Sequence, residues 1–176
     1  MVRTAVRLGN EGFKVMPHFP ARIIKDKPTL SDWIDRYVSE AGVKQALLLA
    51  GGIDTPKGSF DSSMQLLETE LFDKYGFTDL NVAGHPEGNK DIDPDNTNKN
   101  VDMALAWKQK FSERTDANMG ITTQFAFDSV PIFEWANRIN AAGITLPINV
   151  GVAGPAKLQT LITVSYTHLT LPTSYA

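Results

Sequence analysis

The sequence predicts a parallel α/β fold, because short apolar runs alternate with longer segments of helical spacing. The apolar runs lack the period-two alternation of half-exposed strands, which is typical of parallel strands covered on both faces. Successive expected strands begin roughly 26 to 40 residues apart, which is the size of one βα unit. The five expected strands are residues 13–16, 46–50, 80–83, 120–123 and 146–150.

Helical periodicity fills the intervals between these runs. In one interval Val101, Ala104, Leu105 and Lys108 recur at i, i+3, i+4 and i+7, so they share one helix face. Five strands cannot close the usual eight-stranded parallel barrel, and the pattern alone does not separate an open doubly wound sheet from a barrel segment. The expected helices are residues 30–41, 63–75, 101–111 and 130–142, and glycines that suit left-handed caps follow three of them: Gly42, Gly76 and Gly143.

Composition narrows the functional class. The 17 basic and 20 acidic residues give a net charge of −3, which supports neither nucleic-acid nor membrane-surface binding. No run approaches the roughly 18 apolar residues of a membrane span, and the first residues do not resemble a secretory signal. The chain has no cysteine, so thiolate chemistry is excluded. We expect a cytoplasmic enzyme or binding domain.

Polar residues follow the expected strands, at the edge where parallel α/β proteins place their active sites. A divalent metal is one interpretation of two histidines and two carboxylates at this edge. Ordinary structural roles, such as strand caps, an Asx-turn or a solvated loop charge, explain each residue taken singly but explain the whole set less well. The polar stretch 89–100 is either a functional loop or a surface insertion. The expected edge residues are His18, Asp54, His85, Glu87 and Gln124.

Six segments, in this order, resemble the methylenetetrahydrofolate reductase family, and the resemblance extends over roughly residues 1–163. They are Val15-Met-Pro-His-Phe-Pro-Ala-Arg22, Leu47-Leu-Leu-Ala-Gly-Gly-Ile-Asp54, Phe60-Asp-Ser-Ser-Met-Gln-Leu-Leu67, Val82-Ala-Gly-His-Pro-Glu-Gly88, Thr123-Gln-Phe-Ala-Phe-Asp128 and Gly143-Ile-Thr-Leu-Pro-Ile148. The resemblance implies an incomplete (βα)8 TIM barrel, in which the five strands correspond to barrel strands three to seven. It also implies FAD as cofactor, and reduction of 5,10-methylenetetrahydrofolate to 5-methyltetrahydrofolate with NADH or NADPH as donor.

The same resemblance implies residue roles. Asp54 would stabilise the cationic form of the opened folate ring, and Gln124 with Phe125 would bind the folate or the nicotinamide. Many relatives carry Arg-Gly-Asp at the end of this strand, whereas this chain has Gly51-Gly52-Ile53-Asp54, so the arginine is missing and the aspartate is displaced. No metal is implied. The residues expected at FAD are His18, Gly51, Gly52, Ser62, His85, Glu87, Asp102, Lys108 and Lys110.

The resemblance further implies that the chain is a fragment, because the family's strand with the general-acid glutamate has no counterpart here. We therefore expect the chain alone to be inactive and prone to aggregate through open sheet edges. Whether the full-length parent is a homo-oligomer is left open. Residues 164–176 resemble a translated sequencing adaptor, so His168 is given no function; a genuine C-terminal strand is the alternative. Two other functions stay open: a metal-dependent barrel enzyme using His18, His85 and Glu87, and a non-catalytic folate- or pterin-binding relative.

Overall fold

A computed structural model describes residues 1–126 and 128–152 of the chain. The expected tail, 164–176, and His168 lie outside the described residues. Helices and strands alternate along the chain, with a one-turn 3₁₀ helix at Ala21–Ile23. The elements in chain order are α1 Val2–Asn10, β1 His18–Pro20, α2 Lys27–Ala41, β2 Gln45–Leu49, α3 Ser63–Glu68, α4 Leu71–Lys74, β3 Asp79–Gly84, α5 Lys99–Phe111, β4 Asn118–Ala126, α6 Val130–Ala141 and β5 Ile148–Val152.

The five strands form one sheet in which every neighbouring pair is parallel and the spatial order is β1-β2-β3-β4-β5. This arrangement confirms the predicted five-stranded parallel α/β fold. One row of paired residues crosses the whole sheet, and its first four members are fully buried. The row consists of Phe19, Leu48, Val82, Ile121 and Ile148.

The core lies on the face of the sheet to which this row points. Buried side chains from all six described helices belong to the same apolar cluster as these strand residues. Phe72 packs edge-to-face against Phe19 and against Phe77, with ring centroids 5.3 and 5.2 Å apart. Edge-to-face packing suits the ring quadrupoles and adds to the burial energy.

The opposite face of the sheet is more polar, because successive strand residues point to opposite sides. The Asn81 side-chain oxygen accepts hydrogen bonds from Thr122 Oγ1 at 3.2 Å and from Asn149 Nδ2 at 3.0 Å. At Gly120 a Cβ atom would lie 2.9 Å from that oxygen, so a side chain there would displace the bonded network. The two faces of the sheet are therefore built for different surroundings.

Local sequence explains where the helices begin and end. The Asp26 side chain accepts a hydrogen bond from Thr29 N at 2.8 Å at the start of α2, and Gly42 closes that helix with φ of 60°. At α5 a distant residue does the capping: the two oxygens of Asp93 accept from Asn100 N and Val101 N, each at 2.9 Å. Asp93 is only 2% exposed, so the preceding loop is anchored to the helix it leads into.

Two sequence predictions of secondary structure were wrong in detail, and one helix was not predicted. Residues 13–16 are not a strand, since Phe13 is 62% exposed and β1 begins at His18. The helix expected over 63–75 is divided into α3 and α4, because Glu70 adopts a left-handed φ of 57°. Helix α1 was not predicted; Ala5 is its buried residue, which leaves the segment little apolar signal.

Candidate functional site

The carboxyl ends of the strands are followed by two long loops that carry most of the expected site residues. The β2–α3 loop, residues 50–62, contains Asp54, and the β3–α5 loop, residues 85–98, contains His85 and Glu87. Gln124 lies near the end of β4. These four residues are therefore at the same edge of the sheet, as the sequence predicted.

His18 does not lie at that edge. It begins β1 instead of following it, and its Cα is paired with Leu47, which is paired in turn with Asn81. Asn81 precedes His85 by four residues, which corresponds to roughly 13 Å along a strand. The predicted edge position of His18 was wrong because the first strand starts five residues later than expected; its role at FAD stays a prediction.

The β2–α3 loop presents an open backbone followed by a capped helix. Gly51 has φ of +100°, and a Cβ atom there would lie 3.1 Å from Pro20 Cβ, whereas Gly52 has no neighbour within 4 Å of a Cβ position. Asp54 is exposed. Ser62 is the N-cap of α3, and its backbone N–H donates to Gln65 Oε1 at 3.0 Å. Ser62 thus has a structural role in addition to the cofactor contact expected from the resemblance.

Arg22 joins the loops at this edge. Its Nε donates to Asp61 Oδ1 at 2.8 Å, and its Nη1 donates to Asp91 Oδ2 at 2.8 Å and to the carbonyl of Ile53 at 3.2 Å. Burial alone would lower the pKa of Arg22, but the hydrogen bonds and charges of the two aspartates raise this pKa above its ordinary value. Sequence analysis did not propose a role for Arg22.

The β3–α5 loop begins with a tight turn that places His85 against α5. Gly88 N donates to the His85 carbonyl at 3.1 Å, and Gly88 adopts φ of +77°. Asn89 Oδ1 accepts from the backbone N–H groups of Asp91 and Ile92, which directs Asn89 Nδ2 toward His85 Nδ1 at 3.5 Å. In the neutral ring Nδ1 then serves as acceptor, and Nε2 carries the proton. Glu87 is exposed on the same turn.

His85 and Lys108 border a small cavity between the end of β3, α5 and α6. The cavity has a volume of about 30 Å³, which is room for one or two waters or a small group. Lys108 is 7% exposed, and its ammonium group has no hydrogen bond or ion pair within the described residues. Trp135 also borders the cavity, and its buried indole N–H has no partner among the described residues.

Burial changes the acidity of both basic groups at the cavity. Desolvation, followed by the positive charge of Lys108, lowers the pKa of His85 to about 4. Desolvation lowers the pKa of Lys108 to about 8. Titratable groups with strongly perturbed pKa values, placed next to a cavity, are characteristic of functional sites. His85 is therefore a neutral imidazole at pH 7, able to donate or accept a hydrogen bond without carrying charge.

The other expected cofactor contacts of α5 are more dispersed. Asp102 forms an ion pair with Arg138 of α6, while its second carboxylate oxygen is buried without a partner among the described residues. Lys110 is exposed, two residues beyond the buried Lys108. The two lysines therefore point to different surroundings, and the structure distinguishes them where the sequence did not.

Gln124 and Phe125 lie on β4, where β5 approaches closely. A Cβ atom at Gly151 would lie 2.9 Å from the Gln124 carbonyl carbon, so only glycine fits at that position. The register between β4 and β5 shifts between Thr122 and Phe125. Such irregularities often re-aim side chains next to functional sites, and here both residues keep part of their surface exposed.

Comparisons add little to the geometry. No protein-family model matches the chain.

Within residues 1–126 and 128–152, no three His, Asp or Glu side chains are grouped so that they could hold a metal ion. The ligand set His18, His85 and Glu87 of the metal hypothesis is therefore not assembled. Among the same residues, no helix has the length and apolar character needed to cross a bilayer.

Proposed function

We propose that the chain is a segment of a flavin-dependent oxidoreductase built on a (βα)8 barrel. The observation that carries the fold part is the strictly sequential order of five parallel strands. A doubly wound sheet reverses its strand order at a switch point, whereas a barrel adds each strand beside the previous one. The placement of buried residues from all described helices in one core, opposite a polar sheet face, agrees with an outer helical layer and an inner lumen.

Within that class, the reductase of 5,10-methylenetetrahydrofolate is the particular enzyme we propose. The six resembling segments support it, and so does the position of Asp54, His85, Glu87 and Gln124 at one edge of the sheet. Donors of electrons would be NADH or NADPH, and the acceptor would be the folate. The remaining strands of the barrel would come from sequence beyond these five βα units.

Two features of this edge support FAD as the proposed cofactor. The open backbone at Gly52 allows close approach of a planar ligand, and the ammonium of Lys108, which has no hydrogen bond or ion pair within the described residues, is a donor suited to an anionic group. Bound FAD would supply the hydride-transfer chemistry. The chain would supply binding by the Gln124 amide and stabilisation of a cationic folate by the exposed carboxylate of Asp54.

The test is expression of the complete reading frame that contains this chain, with Asp54→Asn and the control Asp35→Asn on the exposed face of α2. We expect a yellow protein that oxidises NAD(P)H with menadione and reduces methylenetetrahydrofolate. Asp54→Asn should lower folate reduction by roughly 10²-fold while leaving the menadione reaction intact, because only the folate step develops the cation. Asp35→Asn should change neither reaction.

A colourless protein would refute the flavin proposal. A flavoprotein that binds folate without reducing it would instead favour the non-catalytic relative, for which the displaced Asp54 and missing arginine are the supporting observations. Stoichiometric zinc or manganese in the purified protein would favour the metal-dependent alternative.

A further inference from the structure

Arg22 connects three segments that are far apart in sequence. Asp61 is 39 residues away from it and Asp91 is 69 residues away. The first belongs to the loop after β2 and the second to the loop after β3, while Arg22 itself follows β1. One guanidinium group therefore ties together the carboxyl ends of three neighbouring strands.

The geometry of this cluster is that of a fixed fork and not of a loose surface pair. The Arg22 side chain is 13% exposed, and its planar guanidinium reaches two carboxylates and one carbonyl at 2.8 to 3.2 Å. Exposed single ion pairs contribute little to stability, but a half-buried arginine bonded to several acceptors keeps its orientation with a smaller entropic cost. The two aspartates are more than half exposed, so they depend on Arg22 for their position more than it depends on them.

The backbone of the same segment adds to the connection. Arg22 N donates to the Ala50 carbonyl at 2.9 Å, and Lys57 N donates to the Arg22 carbonyl at 2.7 Å. At Gly58 a Cβ atom would lie 1.7 Å from the Lys25 carbonyl oxygen, so the loop presses directly on the segment after β1. The β2–α3 loop is thus held by main-chain bonds as well, whereas the Asp91 contact of the β3–α5 loop depends on the Arg22 side chain.

We propose that Arg22 is the positioning residue of the candidate site, holding the loop that carries Asp54 and the loop that carries His85 and Glu87 in one mutual arrangement. Calling this region a functional site rests on the proposed function. The connection between the two loops rests on the observed contacts of Arg22 alone. Arg22 is not a catalytic residue, since its bonds go to Asp61, Asp91 and Ile53. Its effect on a ligand would be exerted through the two loops.

The test is amide hydrogen exchange of the full-length parent carrying Arg22→Gln or Arg22→Lys, with Arg36→Gln as matched control. Arg36 pairs with Glu40 on the exposed surface of α2, so its loss removes one arginine charge without touching the loops. We expect amides of residues 53–61 and 86–92 to exchange at least about tenfold faster in both Arg22 variants, with the amides of β2 to β4 unchanged. Lysine should not restore protection, because one ammonium cannot reproduce the planar fork.

Asp91→Asn is a variant that should fold like the wild type, because the Asp91 side chain is 53% exposed. It should accelerate exchange in residues 86–92 and leave residues 53–61 unchanged. Unchanged exchange in both loops of Arg22→Lys, or full protection in Asp91→Asn, would overturn the proposal. A lower FAD affinity in Arg22→Lys at an unchanged unfolding midpoint would support positioning of the site; failure of the wild-type parent to bind FAD would count against the proposed function alone.

Discussion

Two basic residues near the same edge of the sheet, Arg22 and Lys108, differ both in burial and in their partners: Arg22 is half-buried, whereas Lys108 is buried. The Arg22 side chain has three acceptors within 3.2 Å. The Lys108 ammonium group has none within the described residues. Consequently the pKa of Arg22 is raised, while the pKa of Lys108 is lowered to about 8. Burial and partners together decide whether a charge at this edge stabilises the fold or is held there at a cost in free energy.

The difference separates an ordering role from a ligand-binding role. The Arg22 cluster is complete within the chain, so it holds loops in place. The cavity of His85, Lys108 and Trp135 contains donors whose hydrogen-bonding capacity is unused by the described residues. Such unsatisfied groups in native proteins are explained by a bound water, by a ligand or by a chemical step that uses them. We therefore expect removal of the buried charge at the cavity to improve stability at the expense of binding.

The largest expected effect is that of Lys108→Met. Methionine keeps the volume and removes the buried charge, and a pKa lowered from 10.5 to about 8 corresponds to about 3 kcal/mol of stability at pH 7. The unfolded state binds more protons between pH 8 and 10.5, so wild-type stability rises with pH there and the advantage of methionine disappears. Urea denaturation at pH 7 and pH 10 measures both effects.

Lys110→Met is the matched control, since Lys110 is exposed on the same helix. It should change the free energy of unfolding by less than about 0.5 kcal/mol. If Lys108→Met were destabilising by as much as a typical core substitution, the ammonium group would have a stabilising partner that the described contacts lack. In the full-length parent the same variant should weaken FAD binding, in keeping with the trade-off between stability and function.

His85→Gln has the next largest effect, and it depends on pH. The pKa of His85 is lowered from 6.5 to about 4 in the fold, so the unfolded state binds more protons between these values and stability falls as pH drops through this range. At pH 5 this linkage removes about 2 kcal/mol from the wild type. Glutamine does not titrate, so the variant should lose less stability than the wild type between pH 7 and pH 5 in urea denaturation.

Equal losses in the two proteins would show that His85 is protonated in the fold near its ordinary pKa. That result would remove the neutral imidazole from the candidate site. Denaturation at pH 7 serves as the internal reference, because there both the folded and the unfolded wild type hold an essentially neutral ring.

The sequence predicted the strands that form the middle of the sheet from their short apolar runs. The expected burial on both faces holds for β2, whereas β3 alternates between buried and half-buried residues. The prediction failed at β1, where only Phe19 of three residues is buried. The burial of Lys108 could have been predicted, since its spacing from Val101 and Leu105 already placed it on the apolar face of α5. The lack of a partner for the Lys108 ammonium group could not be predicted, because it depends on which side chains of other elements lie near that group.

The contacts of Arg22 show the same limit at the level of the site. The sequence places polar residues after each strand, so the edge at which they meet was predictable. Their pairing was not, because Arg22, Asp61 and Asp91 are separated by dozens of residues and other acidic residues occupy the same loops. A three-dimensional register is needed to select among them.

The smallest expected effect is that of Trp135→Phe in the cavity wall. Phenylalanine loses part of the buried ring, but it also removes an indole N–H that has no partner among the described residues, and the two changes have opposite signs. We expect the free energy of unfolding to change by less than about 1 kcal/mol. A loss above about 2 kcal/mol in urea denaturation would mean that the indole N–H is bonded in solution, with a water in the cavity as the simplest acceptor. The cavity would then be hydrated, and the difference between the cavity and the Arg22 cluster would consist only of the charge of Lys108.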